Sequence, residues 1–196
     1  MLNHVPNILT VARFFLIPFI IYFITVNQYI TAFIFLSISG LTDILDGFIA
    51  RKFDLITNFG KLIDPLADKL TQISVLLALS FEGIIPIWII TVVVIKEAVM
   101  ISGASFLYGK ELVVSSRWFG KLSTVLFYVA IVCSFGITYW NEIANTPGNS
   151  VTTLPQFDLW IYYLALASAI FSLVMYFKTF YQQGYLKKEN LKIEKK

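Results

Sequence analysis

The sequence predicts an all-α membrane protein built from six transmembrane helices. Of its 196 residues, 58% are hydrophobic and only 14% are charged. The mean hydropathy is +0.77. Apolar blocks of about 20 residues recur along the chain, separated by polar residues or by Gly and Pro. A soluble core does not need this much apolar surface, so the composition excludes an ordinary soluble domain.

The apolar blocks give the expected position of each helix. The first block lacks a basic front end and a small-residue cleavage site, so we interpret it as a membrane span rather than a signal peptide. The residues before it, with Pro6 and Asn7, are expected to form a short interfacial approach. The predicted spans are residues 8–26, 29–50, 61–81, 85–107, 119–140 and 158–180. Residues 1–181 then form one transmembrane domain, and residues 182–196 form a basic tail.

Lysine and arginine are distributed unevenly between the connections. With a cytoplasmic N-terminus, the outer connections are residues 27–28, 82–84 and 141–157, and none of the 15 Lys and Arg residues lies in them. Because basic residues favour cytoplasmic loops, both termini are expected in the cytoplasm. The tail is expected to lie on anionic lipid headgroups. Topology accounts for the net charge of +3, so no nucleic-acid partner is predicted.

Four aspartates lie in this apolar chain at helical spacing. Asp43 and Asp46 are three residues apart, and Asp64 and Asp68 are four apart. At about 100° per residue, each pair lies on one helix face. An Asp at the centre of a membrane helix costs roughly 2.5 to 3.5 kcal/mol, so the four need partners inside the protein. We infer a pair of divalent cations, Mg²⁺ or Mn²⁺, because these ions prefer hard oxygen ligands.

Small residues and a cation accompany the aspartates. Gly47 projects within about 40° of Asp43, and Gly60 lies one turn before Asp64, so both faces leave space for a ligand. Arg51, one turn past Gly47, is placed to hold a phosphate. This combination is typical of metal-assisted phosphoryl transfer, and the site is expected to open towards the cytoplasm.

The whole segment resembles the signature of a known enzyme family. It reads Asp43-x2-Asp46-Gly47-x2-Ala50-Arg51-x8-Gly60-x3-Asp64-x3-Asp68, with no position of the CDP-alcohol phosphatidyltransferase pattern missing. The resemblance implies that the nucleotide of CDP-diacylglycerol leaves as CMP while an alcohol takes over the phosphatidyl group. It also implies the fold of that family for the transmembrane domain, a homodimer, and a location in a bacterial cell membrane.

The same resemblance implies a role for each residue of the segment. Asp68 matches the general base of the family. The expected ligands of two metal ions are Asp43, Asp46, Asp64 and Asp68. The expected CDP-binding residues are Asp43, Gly47, Arg51 and Gly60.

The acceptor is predicted from two further segments. PNILTVAR, which contains a Pro-Asn-x2-Thr-x2-Arg run, and GKLIDPLADK are most similar to the phosphatidylglycerophosphate synthases of the family. This similarity implies glycerol 3-phosphate as the acceptor. A dianionic acceptor phosphate needs cations, and the candidates are Lys96, Arg117 and Lys121.

Two cations typical of such synthases are missing. Related synthases carry an Arg-Glu pair and a second Arg on helix four, and a Gly-Lys-x-Lys on helix five. Here Ala104 stands at the position of the second Arg, and Ser123 at the position of the second Lys. A cardiolipin synthase, which accepts phosphatidylglycerol, needs fewer cations, so that activity is the alternative.

Lys96 and Glu97 lie midway along the predicted fourth helix, so they are expected to face the protein interior. Lys96 then either contacts a substrate phosphate or forms a local ion pair. Intramembrane carboxylates also occur in transporters. However, all the carboxylates of the cluster lie on two adjacent helices at one membrane face, which argues against a path through the membrane.

Overall fold

A computed structural model describes residues 5–52, 58–107, 118–147 and 151–182. Within these ranges the chain forms six α-helices and no strand. The helices are α1 (Val5–Thr25), α2 (Tyr29–Lys52), α3 (Asn58–Phe81), α4 (Ile87–Leu107), α5 (Trp118–Ala144) and α6 (Asp158–Gln182). The all-α prediction is confirmed. The predicted tail lies almost entirely outside the described residues.

The first helix begins earlier than the sequence suggests. We expected an interfacial approach before residue 8, but α1 begins at Val5 and includes Pro6 and Asn7. Proline is tolerated in the first turn of a helix because the N–H it lacks would have no intrahelical partner there. The approach is therefore helical where the structure describes it.

Two tight turns connect helices at one end of the bundle. Asn27 after α1 and Gly83 after α3 have φ angles of 60° and 72°, in the left-handed region that Gly and Asn tolerate best. The next amide reaches back five residues in each case, at 2.8 Å from Gln28 to Phe23 and 3.0 Å from Ile84 to Leu79. These are Schellman motifs, which end one helix and let the next begin within a few residues.

The helices pack in two groups that share one core. Helix α1 lies against α2 and α3, and α5 lies against α6. Helix α4 contacts α3 and α6, and α5 contacts α2 and α3, so these two helices join the groups. Fully buried side chains at the centre include Ile24, Leu76, Leu79, Ile89, Ile131 and Phe135.

The outer surface is strongly apolar. Large side chains such as Phe15, Phe81, Trp160 and Leu164 are at least 63% exposed. Exposed apolar area on this scale indicates contact with lipid. In the described part of the chain, three helical stretches are long and apolar enough to cross a membrane, namely Tyr29–Ile49, Gly120–Ala144 and Asp158–Lys178. The chain is therefore a membrane protein, and the count of six spans stays a prediction.

Candidate active site

The four predicted aspartates come together where α2 and α3 lie beside α1. Helix α2 places Asp43 and Asp46, and helix α3 places Asp64 and Asp68. Each of the four carboxylates has an oxygen within 4 Å of the guanidinium of Arg13, a residue of α1. The helical spacing thus does bring both pairs to one place, around a cation that the sequence analysis did not assign to the site.

Each terminal nitrogen of Arg13 faces two carboxylates. Nη1 lies 2.6 Å from Oδ1 of Asp43 and 2.6 Å from Oδ1 of Asp68. Nη2 lies 2.9 Å from Oδ2 of Asp46 and 3.6 Å from Oδ1 of Asp64. The planar guanidinium suits this role because its donors point in fixed directions towards several oxygens at once.

Helix α1 also contributes Thr10, one turn before Arg13. The Thr10 hydroxyl donates to Oδ1 of Asp64 at 2.6 Å and lies 3.4 Å from Oδ2 of Asp46. Thr10 and Arg13 are three residues apart and share a helix face. Their spacing in PNILTVAR was the available signal, because an Arg in an apolar helix needs carboxylate partners.

The cluster is closed on one side and open on another. The side chains of Arg13 and Asp46 are only 2% and 3% exposed. Those of Asp43, Asp64 and Asp68 are 41%, 42% and 44% exposed. A ligand can therefore approach three of the carboxylates, while Asp46 lies deep in the cluster beside Arg13.

The donor set suits hard cations. With all groups ionised, four negative charges and one positive charge leave a formal charge of three negative, and carboxylate oxygens are ligands that Mg²⁺ and Mn²⁺ prefer. As arranged in the described ranges, however, no three Asp, Glu, His or Cys side chains form a group that could hold a metal ion. The guanidinium of Arg13 lies between the four carboxylates, within 4 Å of an oxygen of each one.

A second ionic group lies beside the first. Oε1 of Glu97 on α4 is 2.6 Å from Nζ of Lys96 and 2.9 Å from Nζ of Lys69 on α3. Lys96 and Glu97 are buried, so their predicted inward orientation is confirmed, and the contact between them is an ion pair. Two ammonium groups around one carboxylate give this group a net positive charge, and one of them, Lys69, directly follows Asp68 in α3. Lys69 was missed because its position directly after Asp68 gave no sign that α4 would face it.

The other predicted site residues are placed less completely. Gly47 is half-buried on α2, and Lys121 is exposed near the start of α5. Arg51 and Gly60 lie within α2 and α3, but their surroundings are outside the described part of the structure. Arg117 lies outside the described residues altogether.

Comparison with known proteins decides the family. A model of the CDP-alcohol phosphatidyltransferase family matches residues 3–173, which include all four aspartates and both helices that carry them. This chain belongs to that family. It is therefore a membrane phosphatidyltransferase of phospholipid biosynthesis, and the resemblance inferred from its signature is confirmed.

Individual relatives include proteins named for two different reactions. A CDP-diacylglycerol–glycerol-3-phosphate 3-phosphatidyltransferase of Mycoplasma genitalium is 33% identical over 174 residues, which are 86% of this chain and 70% of the relative. A protein of the same name from Aquifex aeolicus is 34% identical over 137 residues, covering 68% and 76%. A probable CMP-forming cardiolipin synthase of Drosophila melanogaster is 37% identical over 103 residues, covering 52% of this phosphatidyltransferase and 32% of the relative.

Proposed function

We propose that this phosphatidyltransferase transfers the phosphatidyl group from CDP-diacylglycerol to glycerol 3-phosphate, giving phosphatidylglycerophosphate and CMP. The observation that carries the proposal is the convergence of four signature carboxylates from α2 and α3 on one site. The Mycoplasma and Aquifex relatives, named for this reaction, support the choice of acceptor.

The carboxylates define the metal-binding part of the proposal. Two ions, Mg²⁺ or Mn²⁺, would be held by Asp43, Asp46, Asp64 and Asp68. When bound, they would supply neutralisation of the pyrophosphate charge and polarisation of the phosphorus. The protein contributes the fixed arrangement of the two helices, which sets the spacing between the carboxylate pairs.

The chain's own residues then orient the donor and move one proton. Asp43, Gly47, Arg51 and Gly60 hold the cytidine diphosphate part. The acceptor hydroxyl oxygen attacks the phosphatidyl phosphorus, and the bond from that phosphorus to the oxygen bridging to CMP breaks, so that CMP leaves with the bonding electrons. Asp68 takes the proton of the attacking hydroxyl. Its side chain is 44% exposed, so an acceptor can approach it.

The acceptor phosphate is assigned to the cations beside Asp68. Lys96 and Lys69 share one carboxylate, and the excess positive charge of this group suits a phosphate dianion. Lys69 thereby supplies a cation that the sequence pattern of helices four and five lacks. Lys121 and Arg117 complete the proposed acceptor-binding set near the start of α5.

The alternative is a cardiolipin synthase that accepts phosphatidylglycerol. Two typical cations are replaced by Ala104 and Ser123, and relatives from Drosophila melanogaster and Streptomyces coelicolor carry the cardiolipin synthase name. Those alignments cover 52% and 50% of this chain, less than the 86% covered by the Mycoplasma genitalium relative.

One experiment separates the two acceptors. Purified protein in detergent with Mg²⁺ and CDP-diacylglycerol receives either labelled glycerol 3-phosphate or labelled phosphatidylglycerol, and CMP and the lipid product are quantified. We expect phosphatidylglycerophosphate from the first and little cardiolipin from the second. Product from phosphatidylglycerol alone would establish the alternative, and the Asp68→Asn variant controls for contaminating activity.

The proposal includes the setting of the enzyme. Residues 1–181 form the transmembrane catalytic domain, and the tail, 182–196, binds anionic lipids. The protein lies in a bacterial cell membrane as a homodimer, with both termini and the active site in the cytoplasm. Labelling of single cysteines introduced near each terminus, in intact cells and in inverted vesicles, tests the orientation. Light scattering in detergent tests the dimer.

A further inference from the structure

Arg13 is buried in a position where one of its hydrogen-bond donors has no acceptor among the described residues. Its side chain is 2% exposed, and its terminal nitrogens face the four carboxylates. The Nε–H group is buried and has no hydrogen-bond partner among the described residues. A buried donor without an acceptor is unfavourable. The carboxylates therefore hold Arg13 in place, but one of its donors has no acceptor in this arrangement within the part of the chain that the structure describes.

The oxygens that Arg13 contacts belong to the proposed metal ligands. Those on Asp43, Asp46 and Asp68 lie 2.6 to 2.9 Å from its terminal nitrogens. A guanidinium and divalent cations repel one another, and the repulsion is strong at a buried site because water screens it poorly. Each of these oxygens is already in contact with the guanidinium. Metal binding therefore requires the guanidinium to leave some of these oxygens.

We propose that Arg13 competes with the metal ions for the aspartates and, once displaced, binds a phosphate of the CDP-linked donor. The inference deepens the proposed function and rests on it for the identity of the donor. Arginine is suited to both states because its fork-shaped guanidinium binds carboxylate and phosphate oxygens alike. Thr10, bonded to Asp64 from the same face of α1, keeps this helix against α3 during the exchange.

The exchange makes Arg13 a binding residue whose loss should change two affinities in opposite directions. Removing its charge should strengthen metal binding, because a competing cation is lost. The same change should weaken nucleotide binding, because a phosphate partner is lost. A purely structural residue would move both affinities in the same direction or leave both unchanged.

The test measures two dissociation constants for Arg13→Gln in detergent. Free Mn²⁺ is quantified by electron paramagnetic resonance, and CDP binding in saturating Mn²⁺ is measured by calorimetry. We expect the Mn²⁺ dissociation constant to fall roughly tenfold and the CDP constant to rise roughly tenfold. Ser134→Ala is the matched control, since it removes a buried hydrogen bond between α5 and α6 and should change neither constant.

Arg13→Lys guards against a Gln variant that fails to fold. The Lys variant keeps the positive charge but replaces the planar guanidinium by a single ammonium group. Both dissociation constants should therefore move in the same directions as in Arg13→Gln, by a smaller factor. Weaker Mn²⁺ binding in either variant would overturn the competition. An unchanged CDP constant would overturn the phosphate contact.

These outcomes are separate from those of the proposed function. A wild-type protein that releases no CMP with either acceptor refutes the proposed reaction, whatever the two constants show. An active enzyme whose variants shift both constants in one direction refutes only the role of Arg13.

Discussion

Arg13 on α1 and Asp46 on α2 form an ion pair of 2.9 Å in which both side chains are almost completely buried. The other three carboxylates around the same guanidinium are far more exposed. Asp46 therefore links the first two helices as well as serving the proposed chemistry. The remaining aspartates can bind ligands at less cost to the fold.

The first prediction separates these two roles. Asp46→Asn should nearly abolish CMP release and also lower the free energy of unfolding by about 1.5 to 3 kcal/mol, the range for a charge-assisted hydrogen bond. Asp64→Asn should be equally inactive but less destabilised, because that side chain is 42% exposed. Activity with Mg²⁺ and thermal unfolding in detergent measure both effects. An Asp64→Asn enzyme that kept most of its rate would contradict the four-carboxylate metal site.

The second prediction concerns space beside the carboxylates. Gly47→Leu and Gly60→Leu should prevent binding of CDP-diacylglycerol, because a leucine side chain would fill the proposed nucleotide cavity, while leucine still favours both helix and membrane. Gly40→Leu is a matched control on the same helix as Gly47. A Cβ atom at Gly40 would meet nothing within 4 Å. Binding is measured with fluorescent CDP-lipid, and normal affinity in a folded Gly47 variant would remove this residue from the site.

The positions of the helices and the register of the aspartates could be predicted because both follow from local periodicity. The apolar blocks predicted where the helices lie. The spacings of three and four residues predicted that each aspartate pair shares one helix face. The first span was predicted to begin at residue 8, whereas α1 begins at Val5, because proline is compatible with the first turn of a helix.

The partners of the carboxylates could not be predicted in the same way. Arg13 meets the aspartates only because α1 packs against both α2 and α3, and that packing involves residues 30 to 55 positions apart along the chain. Lys69 is one residue past Asp68, so it points about 100° away around α3. Asp68 therefore faces α1 while Lys69 faces α4, so α3 carries one residue of the negative cluster and one of the positive group on neighbouring faces.

The third prediction tests the lysines of the proposed acceptor-binding set. Lys121→Ala and Lys69→Met should each raise the Michaelis constant for glycerol 3-phosphate roughly tenfold or more, as expected for losing a charge-assisted hydrogen bond of about 1.5 to 3 kcal/mol. The constant for CDP-diacylglycerol should change little. Lys178→Met, an exposed lysine on α6, controls for a general loss of positive charge. Equal losses for both substrates would refute the assignment and favour the cardiolipin synthase alternative.

The last prediction concerns a buried polar contact away from the aspartate cluster. The Ser134 hydroxyl on α5 donates to Oδ2 of Asp158 at 2.6 Å and lies 3.1 Å from the Tyr162 hydroxyl on α6. Asp158 is 2% exposed, and its Oδ1 atom has no hydrogen-bond partner in the described part of the chain. Ser134→Ala would therefore leave this carboxylate without its hydroxyl donor, at a cost of about 1 to 3 kcal/mol.

The expected result is a lower thermal midpoint with unchanged kinetics well below it, since the contact joins only α5 and α6. Ser37→Ala is the matched control, because the Ser37 hydroxyl donates to the Phe33 carbonyl of its own helix, so its loss breaks no contact between helices. Unfolding is followed by tryptophan fluorescence in detergent. Equal midpoints for the two variants would show that Ser134 does not stabilise the α5–α6 pair, whereas a changed Michaelis constant would show that this contact reaches the active site.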